Sequence, residues 1–155
     1  MIKLAIVGTG DMAHEHAKAF NKMDDVKIVA ACDVKKHQLV DFVNTYNIEY
    51  SNTSFDELLS SCEVDAISNT TPDSFHKEIA IKSLRNNKHI FSEKPLATNY
   101  SDALEMYEET TKKKLINSFS LQPLANAYKK FKEKQNLSTI NKKQKFINIS
   151  FSNKR

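Results

Sequence analysis

Apolar residues run almost unbroken from Ile2 to Val7, interrupted only by Lys3, and the run stops at Gly8-Thr9-Gly10. A stretch apolar at odd and even positions alike predicts a strand covered on both faces, as in a parallel sheet. Past the glycines, Met12, Ala13, His16, Ala17 and Phe20 recur at helical spacing to about Lys22, and VKIVAAC, Val26 to Cys32, is a second apolar strand. The alternation then repeats. Gln38 to Tyr46 predicts a helix, and Ser54 with Glu57 is a capping box that opens a short third one. Val64 to Asn69 is strand, Asp73 to Arg85 helix, His89 to Ser92 strand, Ser101 to Lys113 helix and Leu115 to Phe119 strand. Such regular alternation predicts an α/β fold built on a doubly wound parallel sheet.

Beyond Gln122-Pro123 the pattern changes. Leu124, Tyr128 and Phe131 form the apolar stripe of a helix whose other face carries Lys129, Lys130, Lys132 and Lys134. After a polar stretch, FINISF at Phe146 to Phe151 alternates with period two, as a half-buried antiparallel strand does. No partner strand for it is legible. The expected division is a dinucleotide-type domain over residues 1–121, followed by a basic helix and one orphan strand over 122–155, the remnant of a second domain.

Charge sharpens that division. Residues 1–111 hold 11 Lys/Arg and 18 Asp/Glu, whereas residues 112–155 hold 12 Lys/Arg and one acidic residue, Glu133. A lysine-rich helix face is most simply a solvated one, so nucleic acid is not the expected partner. No apolar run approaches the roughly 20 residues that span a bilayer, and the N-terminus reaches Gly8 too soon for a signal-peptide core. The expected location is the cytoplasm, with no membrane contact. Cys32 and Cys62 fall in separate elements and suit neither a disulfide framework nor a metal site, so both are expected to be reduced core residues.

Glycine usage is more informative. A chain of this length would ordinarily hold roughly 11 glycines at about 7% usage, and this one holds two, both within GTG. They mark positions where a side chain cannot be accommodated. Gly8-Thr9-Gly10-Asp11-Met12-Ala13 fits G-x-G-x-x-G/A directly after a strand and at the opening of a helix. In that pattern Gly8 permits the tight turn, Gly10 lets the backbone approach a pyrophosphate, and Ala13 allows close helix-to-strand packing. The helix N-terminus offers unpaired N–H groups and partial positive charge to phosphate. Asp33 ends the second strand, where it can accept hydrogen bonds from both ribose hydroxyls and repel a 2′-phosphate. NAD is therefore favoured, and NADP remains possible because Lys35 and Lys36 follow.

The strand ends at Ser68-Asn69-Thr70-Thr71-Pro72 and Ser92-Glu93-Lys94-Pro95 should open on the same sheet edge as the glycines, where ligands bind. A charged pair before proline at the end of a buried strand suggests a site. Pro95 fixes the backbone, and a cis bond there would aim Lys94 across the cleft, where it can hydrogen-bond a substrate hydroxyl or carbonyl.

These segments, LAIVGTGDMAHEH, VAACDV, VDAISNTTPDSFHKEIAIKSL and KHIFSEKPLA, together resemble the N-terminal Rossmann domain of the glucose-fructose oxidoreductase and inositol 2-dehydrogenase (Gfo/Idh/MocA) family. The resemblance covers residues 2 to about 120. It implies that Lys94 is the catalytic-site lysine and that Glu93 and Pro95 shape the nicotinamide-ribose region. Gly8, Thr9, Gly10, Asp11, Met12, Asp33, Thr70, Thr71 and Pro72 would line the cofactor. It also implies hydride transfer from a hydroxyl of a sugar, cyclitol or related compound to the nicotinamide. Two positions depart from the family pattern: Asn87 stands where glycine usually precedes Lys-His, and no Arg-Phe pair precedes Pro123. The family's substrate domain has no counterpart here beyond FINISF.

The remaining histidines suggest less. His14 and His16 point to different sides of a helix, and a zinc-type H-E-x-x-H would need histidine at Lys18. Packing or solvent exposure is expected for both, a helix-positioning role for His76, and surface or strand-end positions for His37 and His89. No Ser-His-Asp arrangement is supported by context. The leading expectation is an NAD(P)-binding oxidoreductase domain that does not complete catalysis alone. The alternatives are a dehydrogenase acting on CH–OH groups that is completed by a homo-oligomer or complementing subunit, and a non-enzymatic nucleotide-binding module or inert remnant.

Overall fold

The computed structural model describes residues 1–113 and 115–119. The expected C-terminal helix and the FINISF strand lie outside them.

Six strands form one sheet in the order β3-β2-β1-β4-β5-β6, every neighbouring pair parallel. They are β1 (Ile2–Val7), β2 (Val26–Cys32), β3 (Tyr50–Asn52), β4 (Ala66–Asn69), β5 (His89–Ser92) and β6 (Asn117–Phe119). The helices are α1 (Asp11–Phe20), α2 (Lys36–Tyr46), α3 (Phe55–Ser61), α4 (His76–Arg85) and α5 (Tyr100–Lys113). This is the doubly wound order, which reverses between β1 and β4 and opens a crevice at the carboxyl ends of those strands.

The continuous apolar runs are explained by burial on both faces. Leu4 and Ile6 of β1 pack with Ala13, Ala17 and Phe20 of α1 and with Leu39 and Phe42 of α2. Ala5 and Val7 pack on the other side with Leu58 of α3, Ala80 and Leu84 of α4 and Met106 of α5. Helix α1 buries Ala13, His16, Ala17 and Phe20, the i, i+3, i+4, i+7 stripe that its sequence displays. Because Ala13 and Ala17 are small, α1 lies close to β1, and its N-terminus falls directly after the glycine turn.

Several details correct the sequence reading. Strand β3, three residues with no apolar alternation, was not predicted and pairs at the sheet edge through Ala30, Ala31 and Cys32 of β2. The helix expected from Asp73 begins as one 3-10 turn, Asp73–Phe75, and becomes α-helical at His76. The capping box at α3 forms only in half. Ser54 Oγ accepts from the Glu57 amide at 3.3 Å, but the Glu57 carboxylate accepts from Asn52 Nδ2 instead of turning back to Ser54. Asn87 adopts φ 58°, the left-handed conformation that glycine would take without strain. Cys32 and Cys62 are both free thiols. Burial, with the charges of Asp33 and Asp56 adding, pushes the Cys32 thiol up to about 12.

Candidate dinucleotide site

The carboxyl ends of β1, β2, β4 and β5 bring the glycine turn, Asp33, Thr70-Thr71 and Glu93-Lys94 to one edge of the sheet. The two glycines meet different demands. Gly8 has φ +85°, and a Cβ there would lie 2.8 Å from the Thr71 amide nitrogen and 2.9 Å from the Thr70 carbonyl. The fold itself requires glycine at this position. Gly10 has φ −77° and would place a Cβ in open space, with nothing within 4 Å. Packing does not require glycine there, so the space above it is a cradle that a side chain would fill. Gly10 is also the N-cap of α1, whose first turn has no side-chain cap and therefore keeps free N–H groups directed at that space. These features fit the pyrophosphate of a dinucleotide.

Asp33 holds the turn from β2. Its Oδ2 accepts from the Thr9 amide at 2.6 Å and the Thr9 hydroxyl at 3.0 Å, and its Oδ1 accepts from the Lys35 amide at 2.8 Å. A carboxylate has about four lone-pair positions, so with three donors already bound, capacity remains for about one ribose hydroxyl. Lys35 and Lys36 are exposed, as are Asp11, Met12 and Pro72 along the rim. Thr70 turns inward, and its hydroxyl donates to the Gly8 carbonyl at 2.7 Å. The Thr71 hydroxyl donates to Asn69 Oδ1 at 2.7 Å. Both threonines brace the loop through these bonds.

Asn69 was not singled out from sequence. It is fully buried, and its carboxamide joins Thr71 to Ser92 across the ends of β4 and β5. An amide closing an apolar strand was the available signal.

The Glu93-Lys94-Pro95 segment follows β5, and the Lys94–Pro95 bond is cis. Lys94 is exposed, and its ammonium makes no hydrogen bond among the described residues. Two buried histidines hold the segment from opposite faces of the sheet. From α4, His76 Nδ1 lies 2.7 Å from the Pro95 carbonyl and Nε2 2.9 Å from the Thr71 carbonyl. Carbonyls only accept, so a neutral His76 donates to one of them and an imidazolium to both. From α1, His16 Nε2 lies 2.8 Å from the Glu93 carboxylate and Nδ1 2.8 Å from Ser68 Oγ. The His16 bond holds the Glu93 carboxyl below its ordinary value, against the opposing effect of burial.

The structure corrects one expectation here. His16 is neither plain packing nor solvent-exposed, because α1 presents it to two polar partners on β4 and after β5. Ser68, His16 and Glu93 thus lie in a Ser–His–Glu line. Ser68 is fully buried, which removes it as a nucleophile. His14 faces elsewhere, with Nδ1 3.0 Å from the Tyr46 hydroxyl. His37 is exposed and His89 opens β5, both as expected.

Comparison with known proteins places this geometry. Residues 2–121 match the model of the Gfo/Idh/MocA oxidoreductase family, NAD-binding Rossmann fold. The chain belongs to this family. The described residues are its NAD-binding Rossmann domain. Among relatives, the myo-inositol 2-dehydrogenase of Thermotoga maritima is 30% identical over 143 residues, which are 91% of this chain and 42% of that protein. The 2,7-anhydro-N-acetylneuraminate hydratase of Escherichia coli is 36% identical over 107 residues, 68% of this chain and 28% of that protein. Among solved structures, a probable dehydrogenase from Thermotoga maritima superposes with a TM-score of 0.76 at 28% identity, covering 90% of this chain and 42% of that one. The WlbA dehydrogenase of Chromobacterium violaceum, solved with NADH and UDP-GlcNAcA, gives a TM-score of 0.75 at 27% identity, covering 88% of this chain and 40% of that one. The Gfo/Idh/MocA chain described here thus spans less than half the length of these relatives. Among the described residues, no helix is long and apolar enough to cross a membrane.

Proposed function

We propose that this chain binds NAD(H) across the Gly8–Gly10 turn and serves as the cofactor half of an oxidoreductase acting on a hydroxyl of a sugar, cyclitol or related small molecule. Gly10 carries the proposal. The chain has two glycines, and one of them stands where the fold leaves open space beside an uncapped helix N-terminus. A bound pyrophosphate explains both features. Asp33 accepts from the adenosine ribose and disfavours a 2′-phosphate, so NAD is the preferred cofactor and NADP the weaker one. Met12, Thr71 and Pro72 flank the dinucleotide, Glu93 and Pro95 bound its nicotinamide end, and Lys94 is the catalytic residue. When bound, the cofactor accepts or returns a hydride.

Hydride transfer also needs a wall that fixes the substrate carbon against the nicotinamide. The described residues supply the cofactor edge and Lys94 but no such wall, so the substrate site is completed by residues outside them or by another subunit. The polyol and sugar chemistry is supported by the relatives.

Titration with NADH, followed by its fluorescence, tests the cofactor reading. Saturable binding is expected, weakened at least about tenfold in Gly10→Val, which corresponds to about 1.4 kcal/mol. Absence of saturable binding by the wild-type chain would refute it. A panel of sugars and polyols with NAD separately tests the reaction, read as NADH absorbance.

A further inference from the structure

The buried line Ser68–His16–Glu93 joins three elements that meet at the cofactor edge. We infer that His16, fixed by Ser68, holds the Glu93 carboxylate in one orientation at the nicotinamide end of the site and so sets the backbone that presents Lys94. The inference rests on the NAD reading above.

Three observations carry it. The first is connectivity. His16 belongs to the helix that begins at the glycine turn, Ser68 to β4, and Glu93 to the segment after β5, so one imidazole joins three elements that converge on the cofactor edge. The second is burial. The His16 side chain is 3% exposed and that of Glu93 14%, and the imidazole packs in a three-ring cluster with Phe20 and Phe91, whose centroids lie 6.1 and 5.5 Å from it and 6.3 Å from each other. Aromatic walls on this face could have continued as plain hydrophobic packing, and a buried polar pair is commonly no more stable than an apolar replacement. What the pair contributes is a fixed direction for the carboxylate.

The third is the donor inventory. With neutral His16, the Ser68 hydroxyl donates to Nδ1 and the Nε2–H donates to Glu93. With imidazolium, Nδ1–H donates to the Ser68 oxygen and Nε2–H still donates to Glu93. The hydroxyl rotates to suit either state, so Glu93 receives its donor in both. The carboxylate's other oxygen, Oε2, accepts from the Lys94 amide at 3.3 Å. One side chain therefore links the orientation of α1 to the start of the Lys94 segment.

The test compares NADH with ADP-ribose, which has the same adenosine and pyrophosphate but no nicotinamide, on the full-length chain. His16→Leu should bind NADH about tenfold more weakly than wild type, as expected for loss of a hydrogen bond to a charged group, while ADP-ribose binding changes by less than about twofold. His16→Gln, whose amide N–H₂ can occupy the Nε2 position, should recover most of the NADH affinity. Should the leucine variant not fold, His16→Asn takes its place, because its shorter amide reaches the Ser68 side only; it should show the same selective loss. Equal weakening of both ligands would make His16 merely structural and overturn the inference, as would unchanged NADH binding. A wild-type chain that binds neither ligand is a different failure, which removes the NAD reading and this inference together.

Discussion

Asp33 and Thr9 form one hydrogen-bonded unit, in which a single carboxylate oxygen at the end of β2 accepts both the amide and the hydroxyl of the residue between the two glycines. Sequence separation hides this, since the two residues stand 24 positions apart. The acidic residue read from sequence as a ribose acceptor is thus also the anchor of the phosphate-binding turn. On the proposed NAD reading, the same atoms set both cofactor preference and loop geometry.

Asp33→Asn separates these roles. The amide presents one acceptor oxygen, whereas Asp33 uses both of its oxygens, Oδ2 for Thr9 and Oδ1 for Lys35. One donor must then face an N–H₂ group, which should lower stability by about 1–3 kcal/mol. Removing the charge also removes repulsion of a 2′-phosphate, so the ratio of NADPH to NADH dissociation constants should fall. Urea denaturation and paired titrations measure the two effects. An unchanged unfolding midpoint would show that pairing both Asp33 oxygens contributes nothing to stability.

The two glycines should respond in opposite ways. Gly8→Ala introduces a Cβ at φ +85° within 2.9 Å of backbone atoms that cannot yield, and a loss of about 2–4 kcal/mol is expected. Gly10→Ser places a good N-capping residue in open space, so stability should stay within about 1 kcal/mol of wild type or rise. NADH affinity should nevertheless fall in Gly10→Ser. Thermal melts beside titrations separate the fold-required glycine from the ligand-required one.

Thiol labelling tests the core around Asp33. Cys32 is buried, and its thiol is pushed up to about 12, so almost no thiolate exists at pH 8. Cys62 is partly exposed and its thiol is raised chiefly by burial. Native protein treated with a thiol reagent should label at Cys62 first, and Cys32 should react only as urea unfolds the chain. Equal native rates would contradict the placement of β2 in the sheet interior.

Much of this was legible because the signals are local. The runs Ile2–Val7 and Val26–Cys32 are apolar except for Lys3 and Lys27 because the strands are covered on both faces, and the G-x-G-x-x-A spacing sits within one strand-helix turn. Asn87 stands at the family's glycine position, and it adopts the left-handed backbone that glycine would take. What stayed hidden depends on tertiary partners. Strand β3 is three residues long and held by edge pairing, not by an apolar face. His16 and Glu93 lie 77 positions apart, so HEH on a helix looked like packing, although each histidine takes partners from a different element. Asn69 was passed over for the same reason: its value lies in Ser92 on the neighbouring strand.

Acid titration gives the last prediction its sign. The Glu93 carboxyl lies below its ordinary 4.5, first through the His16 hydrogen bond, then despite burial, with the charge of His16 and the amide and charge of Lys94 adding. A carboxyl depressed in the folded state favours folding at pH above its unfolded value and loses that contribution as pH falls through the folded one. Wild-type stability relative to Glu93→Gln should therefore decline as pH is lowered from about 4.5 toward 3, read by urea unfolding at each pH. In a His16→Leu background, the carboxyl loses the bond that depresses it while its burial remains, so the decline should shrink, vanish or reverse. A wild-type advantage that grows on acidification would mean that Glu93 is held by burial and not by His16.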